Sequence, residues 1–489
     1  MRKTLSLAKA SVLAALIVPA LLPAEDTIPL NAVNKANTVI DAAIEAYGGA
    51  DNLKGLNSVI RKSSFTTWAN NQSLRPEPPW DENAASNFAA IDLEQKIFVG
   101  RNAGSGGGFI FNGSQVIKGK EGWTIDYLAG TATTMPEPDF NTTSGPLIRV
   151  TAPLLVKQLM ERRQTAHWLG EAQFNGRPHD IVTLVMEVGP ALSLYFDQEN
   201  HLLSRSERVL PPFGQIEYRF ADYQAVKDIP FETHFRLLIN GEPNLDIDYE
   251  YTQVNEPVEA LAAIPGGLQL VEGVVQPTEV ELQEFAEGVY LVGADGTYTM
   301  FVDMGDHLLG VEGIAGVPER IKKLRESGVD KPIRHAVLTH HHNDHLLGVT
   351  GWEAEGAALY TVAENEAVVR ATAKDGAALK LQFVEGHQRF ESGGRIVDVY
   401  DIGPTPHAEH LLVAFLPEEG VLFEADHFPN PASGPMPPAQ PVTVRLAEAI
   451  EALDLDVKII VGAHSPRVAS IEDLRRSLAL KPQQVTAGL

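Results

Sequence analysis

The stretch Arg334 to Leu338, apolar in its last three residues, runs straight into His340-His341-His342-Asn343-Asp344-His345. Nothing else in the chain restricts its fold as strongly. The stretch reads as a strand. In extended backbone, positions 340, 342 and 344 point to the same side. A chain turning from that strand into a loop brings His345 round as well. Two imidazoles two residues apart can share one metal, and a carboxylate with a further imidazole can serve a second ion beside it. Neutral imidazole and carboxylate suit zinc, and they also suit iron or manganese.

The rest of the composition agrees with such a site. The 489 residues include no cysteine, so any metal must be held by His, Asp or Glu. Of the fifteen histidines none precedes His167, and eleven lie at or after His307. The chemistry is therefore expected in the C-terminal half. A net charge of −25 argues against a phosphate-backbone partner, which needs a basic surface. The expected partner is a small-molecule substrate, with no nucleic acid.

Residues 1–24 read as a signal peptide. Arg2 and Lys3 precede an apolar run from Ala10 to Leu22, with cleavage near Ala24. The run is shorter than the roughly 20 residues a membrane-spanning helix needs. The expectation is a periplasmic or secreted protein.

The pattern changes near residue 270. Residues 25–265 are mostly β. Val39, Ile40, Ala43, Ile44 and Tyr47 recur at helical spacing before Gly48-Gly49, and a second helix is expected from Thr151 to about Arg163. Leu245, Ile247, Tyr249 and Tyr251 alternate with acidic residues, as in a half-buried strand. Asn-Gly pairs at 112–113, 175–176 and 240–241 predict hairpin turns. The glycine-rich run from Gly104 to Gly108 has no helical pattern after it and reads as a hairpin loop, not a phosphate cradle. A helix ending at Tyr47-Gly-Gly and followed by hairpins weakly resembles the half-open β-barrels of periplasmic lipoprotein carriers. That resemblance implies an apolar ligand in this domain; a scaffold without a ligand is the other reading.

Residues 266–280, with Pro265-Gly266-Gly267 and Pro277 at hand, read as a connector, and 281–489 as an α/β domain. Short strands are expected at 289–292, 298–302 and 308–311, then a helix from Pro318 to about Ser327. Later come a helix near 443–453, a strand at 457–461 and a last helix near 471–480.

The H-x-H-x-D-H pattern after a strand resembles that of the metallo-β-lactamase superfamily. His407 in Pro406-His407-Ala408, Asp426 after Leu422-Phe423-Glu424-Ala425, and His464 in Gly462-Ala463-His464 follow in the superfamily's order. The resemblance spans about residues 280–480. It implies a C-terminal αββα sandwich behind a mainly antiparallel β domain with a few helices. It also implies two divalent ions, zinc above iron or manganese. His340, His342 and His407 would hold the first. Asp344, His345 and His464 would hold the second, and Asp426 would bridge. Two departures stand out: Ala425 replaces the usual Gly, and Ser465 follows His464. Glu312 falls where the superfamily often has an Asp that supports a ligand, and is read as a residue orienting an imidazole. His341 should point away, and His335 and His387 should be structural.

By the same resemblance the reaction is hydrolysis by a metal-activated hydroxide, with Asp344 able to orient the nucleophile. His410 and His427 are candidates to protonate a leaving group. The proline-rich stretch from Phe428 to Pro441 is expected to form a stiff loop over the cleft. A carboxylic ester, lactone or related acyl bond is the leading substrate. The alternatives are a periplasmic ligand- or lipid-binding protein with an accessory metal domain, a phosphodiesterase, and an iron-dependent redox enzyme.

Overall fold

The computed structural model describes residues 28–211 and 213–483. The expected signal peptide, residues 1–24, lies outside them. The architecture is mixed α/β, with far more sheet than helix.

Fourteen strands between Ser58 and Val271 form one sheet. Six strands from Ser58 to Thr134 meander in one direction, and seven from Trp168 to Val254 meander in the other. They meet where Ser58–Trp68 pairs antiparallel with Glu242–Val254. The one parallel pairing adds Gln269–Val271 to Thr131–Thr134. One face of this sheet is apolar and takes up two helices. Ile28–Ala46 buries Ala36, Val39, Ile40 and Ala43, and Ala152–Glu161 buries Leu154, Leu155 and Leu159, against Val59, Ile91, Leu194, Phe231 and Phe235. The first helix stops at Gly48 (φ +89°), where a Cβ would lie 2.5 Å from the Asp228 carbonyl oxygen. Only glycine avoids that collision. A cavity of about 680 Å³ opens beside Phe65, Phe98, Leu245, Ile247 and Tyr249.

Two local expectations in this half need correction, and one helix lies outside what was expected. Asn175-Gly176 and Asn240-Gly241 turn the chain with both residues at positive φ, as a tight hairpin requires. Asn112-Gly113, however, lies inside the strand Phe109–Lys118. The reversal comes earlier, at Gly107-Gly108 (φ +56° and +82°). At the register shift between Lys62 and Ser63, which pair with Tyr251 and Tyr249, Glu250 is an extra residue in its strand. It reverses the alternation, so Ile247 is buried while Tyr251 is 41% exposed. A helix at Phe140–Arg149, capped by the Asp139 carboxylate accepting from the Thr142 amide at 2.6 Å, contains Gly145-Pro146, which hides its pattern in the sequence.

After Glu281 the chain builds two sheets, of seven and six strands. Their inner faces pack on each other: Val289, Leu291, Val302, Leu309, Val311 and Val337 meet Val397, Val399, Leu412, Ala414, Phe423 and Val461. Helices Val317–Glu326 and Val349–Glu355 cover the outer face of the first sheet around Trp352. Pro441–Ala452 and Ile471–Ala479 cover the second. The result is the four-layered αββα sandwich. Its central strands are buried on both faces, which is why they read as continuous apolar runs. The proline-rich stretch packs more closely than a free loop would: Phe428 and Met436 join the outer core, and the Ala439 amide donates to Ser477 O at 3.1 Å. Among the described residues, no helix is long and apolar enough to cross a membrane.

Candidate metal centre

Four strand ends deliver the site. Ile333–Val337 leads into His340–His345, and a short 3₁₀ turn at Asn343–His345 brings His345 back towards His340. His407 lies in the loop between Arg395–Asp401 and Leu412–Leu416. Asp426 follows Val421–Glu424, and His464 follows Ile459–Gly462.

The seven predicted ligands come together as two groups. In one, His340, His342, His407 and Asp426 place ligand atoms within 4.8 Å of one another; in the other, Asp344, His345 and His464 do so. Asp426 joins them. Its Oδ2 is 3.2 Å from both His340 Nε2 and His407 Nε2 and 2.9 Å from His345 Nε2, and its Oδ1 is 3.4 Å from His464 Nε2. Asp344 Oδ2 is 3.4 Å from the Nε2 atoms of His345 and His464. Two ligand atoms on a tetrahedral zinc, each about 2.0–2.1 Å from the ion, stand about 3.3 Å apart. The observed spacings match such a shell. His340 Nε2 and His342 Nδ1 are buried with no hydrogen-bond partner. Such orphaned nitrogens are costly unless a further group meets them, so the residues present fit a metal.

Residues 306–464 match the family described as the metallo-beta-lactamase superfamily. This segment is a metallo-beta-lactamase domain. Among solved structures, a metallo-beta-lactamase from Pontibacter korlensis aligns with 41% of this chain and 98% of its own length, at 17% identity and a TM-score of 0.34. The metallo-beta-lactamase FIM-1 from Pseudomonas aeruginosa, in a mono-zinc form, aligns with 41% and 94%, at 20% identity and a TM-score of 0.32. One from Hirschia baltica aligns with 40% and 95%, at 18% identity and a TM-score of 0.33. No curated protein matches the chain.

Within the metallo-beta-lactamase domain, buried partners aim the ligands. Glu312 is fully buried at φ +97°. Its Oε2 lies 3.0 Å from His345 Nδ1 and accepts from the Thr339 hydroxyl at 2.9 Å, and Thr339 Oγ1 lies 3.1 Å from His340 Nδ1. One carboxylate thus steadies two imidazoles from behind. Glu424 is buried and accepts from the amides of His427 (2.6 Å) and Phe428 (3.2 Å), pinning the turn that carries Asp426. Burial pushes the Glu424 carboxyl up to about 8.

The protonation pattern suits ligation. Burial, then the neighbouring rings, holds His340 and His342 well below the ordinary imidazole range, so both are neutral. Burial opposes ionisation of Asp426, but the charge of His345 and the close ring nitrogens of His340, His345 and His407 outweigh it and keep the carboxyl well below its usual range. His345 is also buried, yet Asp426 and Glu312 raise it well above 6.5. Without metal it therefore holds a proton that an arriving cation must displace.

The remaining histidines separate clearly. His341 points away from the cluster and meets the Ser73 carbonyl at 2.8 Å. His427 is buried, its ring 5.8 Å from that of His407, and neither nitrogen has a partner; burial pushes it down to about 3. His410 stands outside both ligand groups, with Nδ1 2.6 Å from Asp401 Oδ2 and Nε2 3.8 Å from Glu364. Gln72, Ser73, Gly107 and Phe109, from the β domain, also touch the ligands. Sequence reasoning missed all four.

Proposed function

We propose that the protein is a hydrolase that uses two divalent ions, zinc by its His/Asp donor set, to cleave a carboxylic ester, lactone or related acyl bond. The observation that carries this reading is Asp426, whose Oδ2 meets His340 and His407 of one ligand group and His345 of the other, and whose Oδ1 meets His464. Two divalent ions in those groups would supply hydroxide at neutral pH, lowering the pKa of water from about 15.7 towards 7, and would polarise the carbonyl under attack. Asp426 fixes the spacing of the two groups. Asp344 and His464, with side chains 40% and 39% exposed, form the open side from which a substrate approaches. His427 is buried and neutral, and His410 is engaged by Asp401. In this reading neither supplies the leaving-group proton.

Charge supports an acyl bond over a phosphodiester. A cleft of about 570 Å³ adjoins His407 between the two domains. Asp81 and Glu82 line it, together with Gln72 and Phe109, and no lysine or arginine does. Such a wall repels a phosphate and accepts an uncharged substrate.

The test is a panel of aryl ester, lactone, β-lactam and phosphodiester substrates with the zinc-reconstituted full chain. Ester or lactone hydrolysis that chelator abolishes and zinc restores is the expected result. Turnover of the phosphodiester alone would overturn the acyl assignment, and turnover indifferent to chelator would overturn the metal chemistry.

A further inference from the structure

The β domain reaches the ligands at two places. The segment 69–81 joins strands Ser58–Trp68 and Glu82–Asp92 and lies over the histidine cluster. The Ser73 carbonyl accepts from His342 Nε2 at 3.0 Å, and Gln72 Nε2 donates to Asp344 Oδ1 and Asn343 Oδ1, both at 2.7 Å. Asn343 in turn donates its amide to Asn71 O at 3.2 Å. The second place is the turn at Gly107-Gly108. The Gly107 carbonyl accepts from His407 Nδ1 at 2.8 Å, and Phe109 stands edge-on to the same ring with centroids 5.8 Å apart.

These contacts have direct consequences for ligation. A carbonyl oxygen can only accept, so each imidazole facing one must carry its proton on that nitrogen. His342 is thereby left with a lone pair on Nδ1 and His407 with one on Nε2, the atoms that face the cluster. Gln72 occupies Asp344 Oδ1 and leaves Oδ2, the oxygen turned towards His345 and His464. Segment 69–81 is itself braced: the Ser73 hydroxyl donates to Ala69 O at 2.8 Å and accepts from the Asp81 amide at 2.8 Å, while Asp81 Oδ2 accepts from the Leu74 amide at 2.7 Å. At Gly108 a Cβ would lie 2.4 Å from Val442, so this turn fits closely onto the C-terminal domain.

We propose that the β domain is part of the metal centre. The Ser73 and Gly107 carbonyls set the tautomers of His342 and His407, and Gln72 is a positioning residue for Asp344 and hence for the second ion. This rests on the dinuclear reading above.

Chelator competition on the full chain tests it, using zinc for affinity and cobalt(II) for the visible spectrum of each site. Gln72→Ala should still bind two ions at saturation. The weaker one should lose about ten- to a hundredfold in affinity, with an altered cobalt spectrum for the second equivalent only. The metal-free variant should melt where the metal-free parent does, because Gln72 lies in a half-buried loop. Gln72→Ala binding both ions as the parent does would overturn the proposal. So would a lowered melting point without a change in affinity, the mark of a merely structural residue. A measurement without mutation stands beside it: zinc should slow amide hydrogen exchange in 69–81 and 105–110, and unchanged exchange there would contradict the proposal. If the parent chain binds no zinc at all, the dinuclear reading fails with it. Two ions in the parent and an unchanged Gln72→Ala would sink the positioning role alone.

Discussion

Arg61→Ala is expected to destabilise the β domain by about 3–5 kcal/mol in chemical denaturation. Arg61 is 1% exposed and Glu232 is fully buried. The guanidinium pairs with the Glu232 carboxylate, donates to the Glu232 carbonyl at 2.6 Å and to Thr252 Oγ1 at 3.2 Å, and lies over the ring of Tyr249. The other Glu232 oxygen accepts from the amide of Ala152, the first residue of the helix Ala152–Glu161, at 3.1 Å. Removing Arg61 leaves the buried Glu232 side chain without its cation. Paired burial and unpaired burial differ greatly in cost, so the double variant Arg61→Met/Glu232→Leu should recover most of the loss. Equal destabilisation by the single and double variants would show that packing, not the uncompensated charge, sets the penalty.

Asp426→Ala is expected to lower kcat/KM on the best acyl substrate by at least about 10²–10³-fold, the equivalent of several kcal/mol of transition-state stabilisation. It removes the carboxylate that meets histidines of both ligand groups, and with it the contacts to His340, His345, His407 and His464. His341→Ala is the control. His341 sits between two ligands in sequence but faces the Ser73 carbonyl, so its loss should cost far less. A rate for Asp426→Ala within tenfold of the parent would contradict the role given to this carboxylate.

Much of the C-terminal sandwich was legible because its signals are local. Central strands such as Leu308–Val311 are buried throughout and read as unbroken apolar runs. The residues following their ends are those brought together. Glu312 was visible only through the resemblance, as the position where the superfamily often has an Asp supporting a ligand, and the structure supplies Thr339 and His345 as its partners. The β domain's share of the site was not legible. Gln72 and Ser73 meet their partners across about 270 residues of sequence, and Gly107 meets His407 across 300. Two of those contacts use backbone carbonyls, which every residue possesses, so no side-chain pattern could mark them. The misread Asn112-Gly113 has a related cause. Turn propensity is local, but the reversal at Gly107-Gly108 is tied to a contact with Val442 in the other domain.

The most direct measurement is the metal content of the purified full chain after zinc reconstitution and removal of loose ions. This account predicts two zinc ions per chain, falling to one or fewer in Asp426→Ala. Fewer than one ion per chain in the parent protein would contradict it.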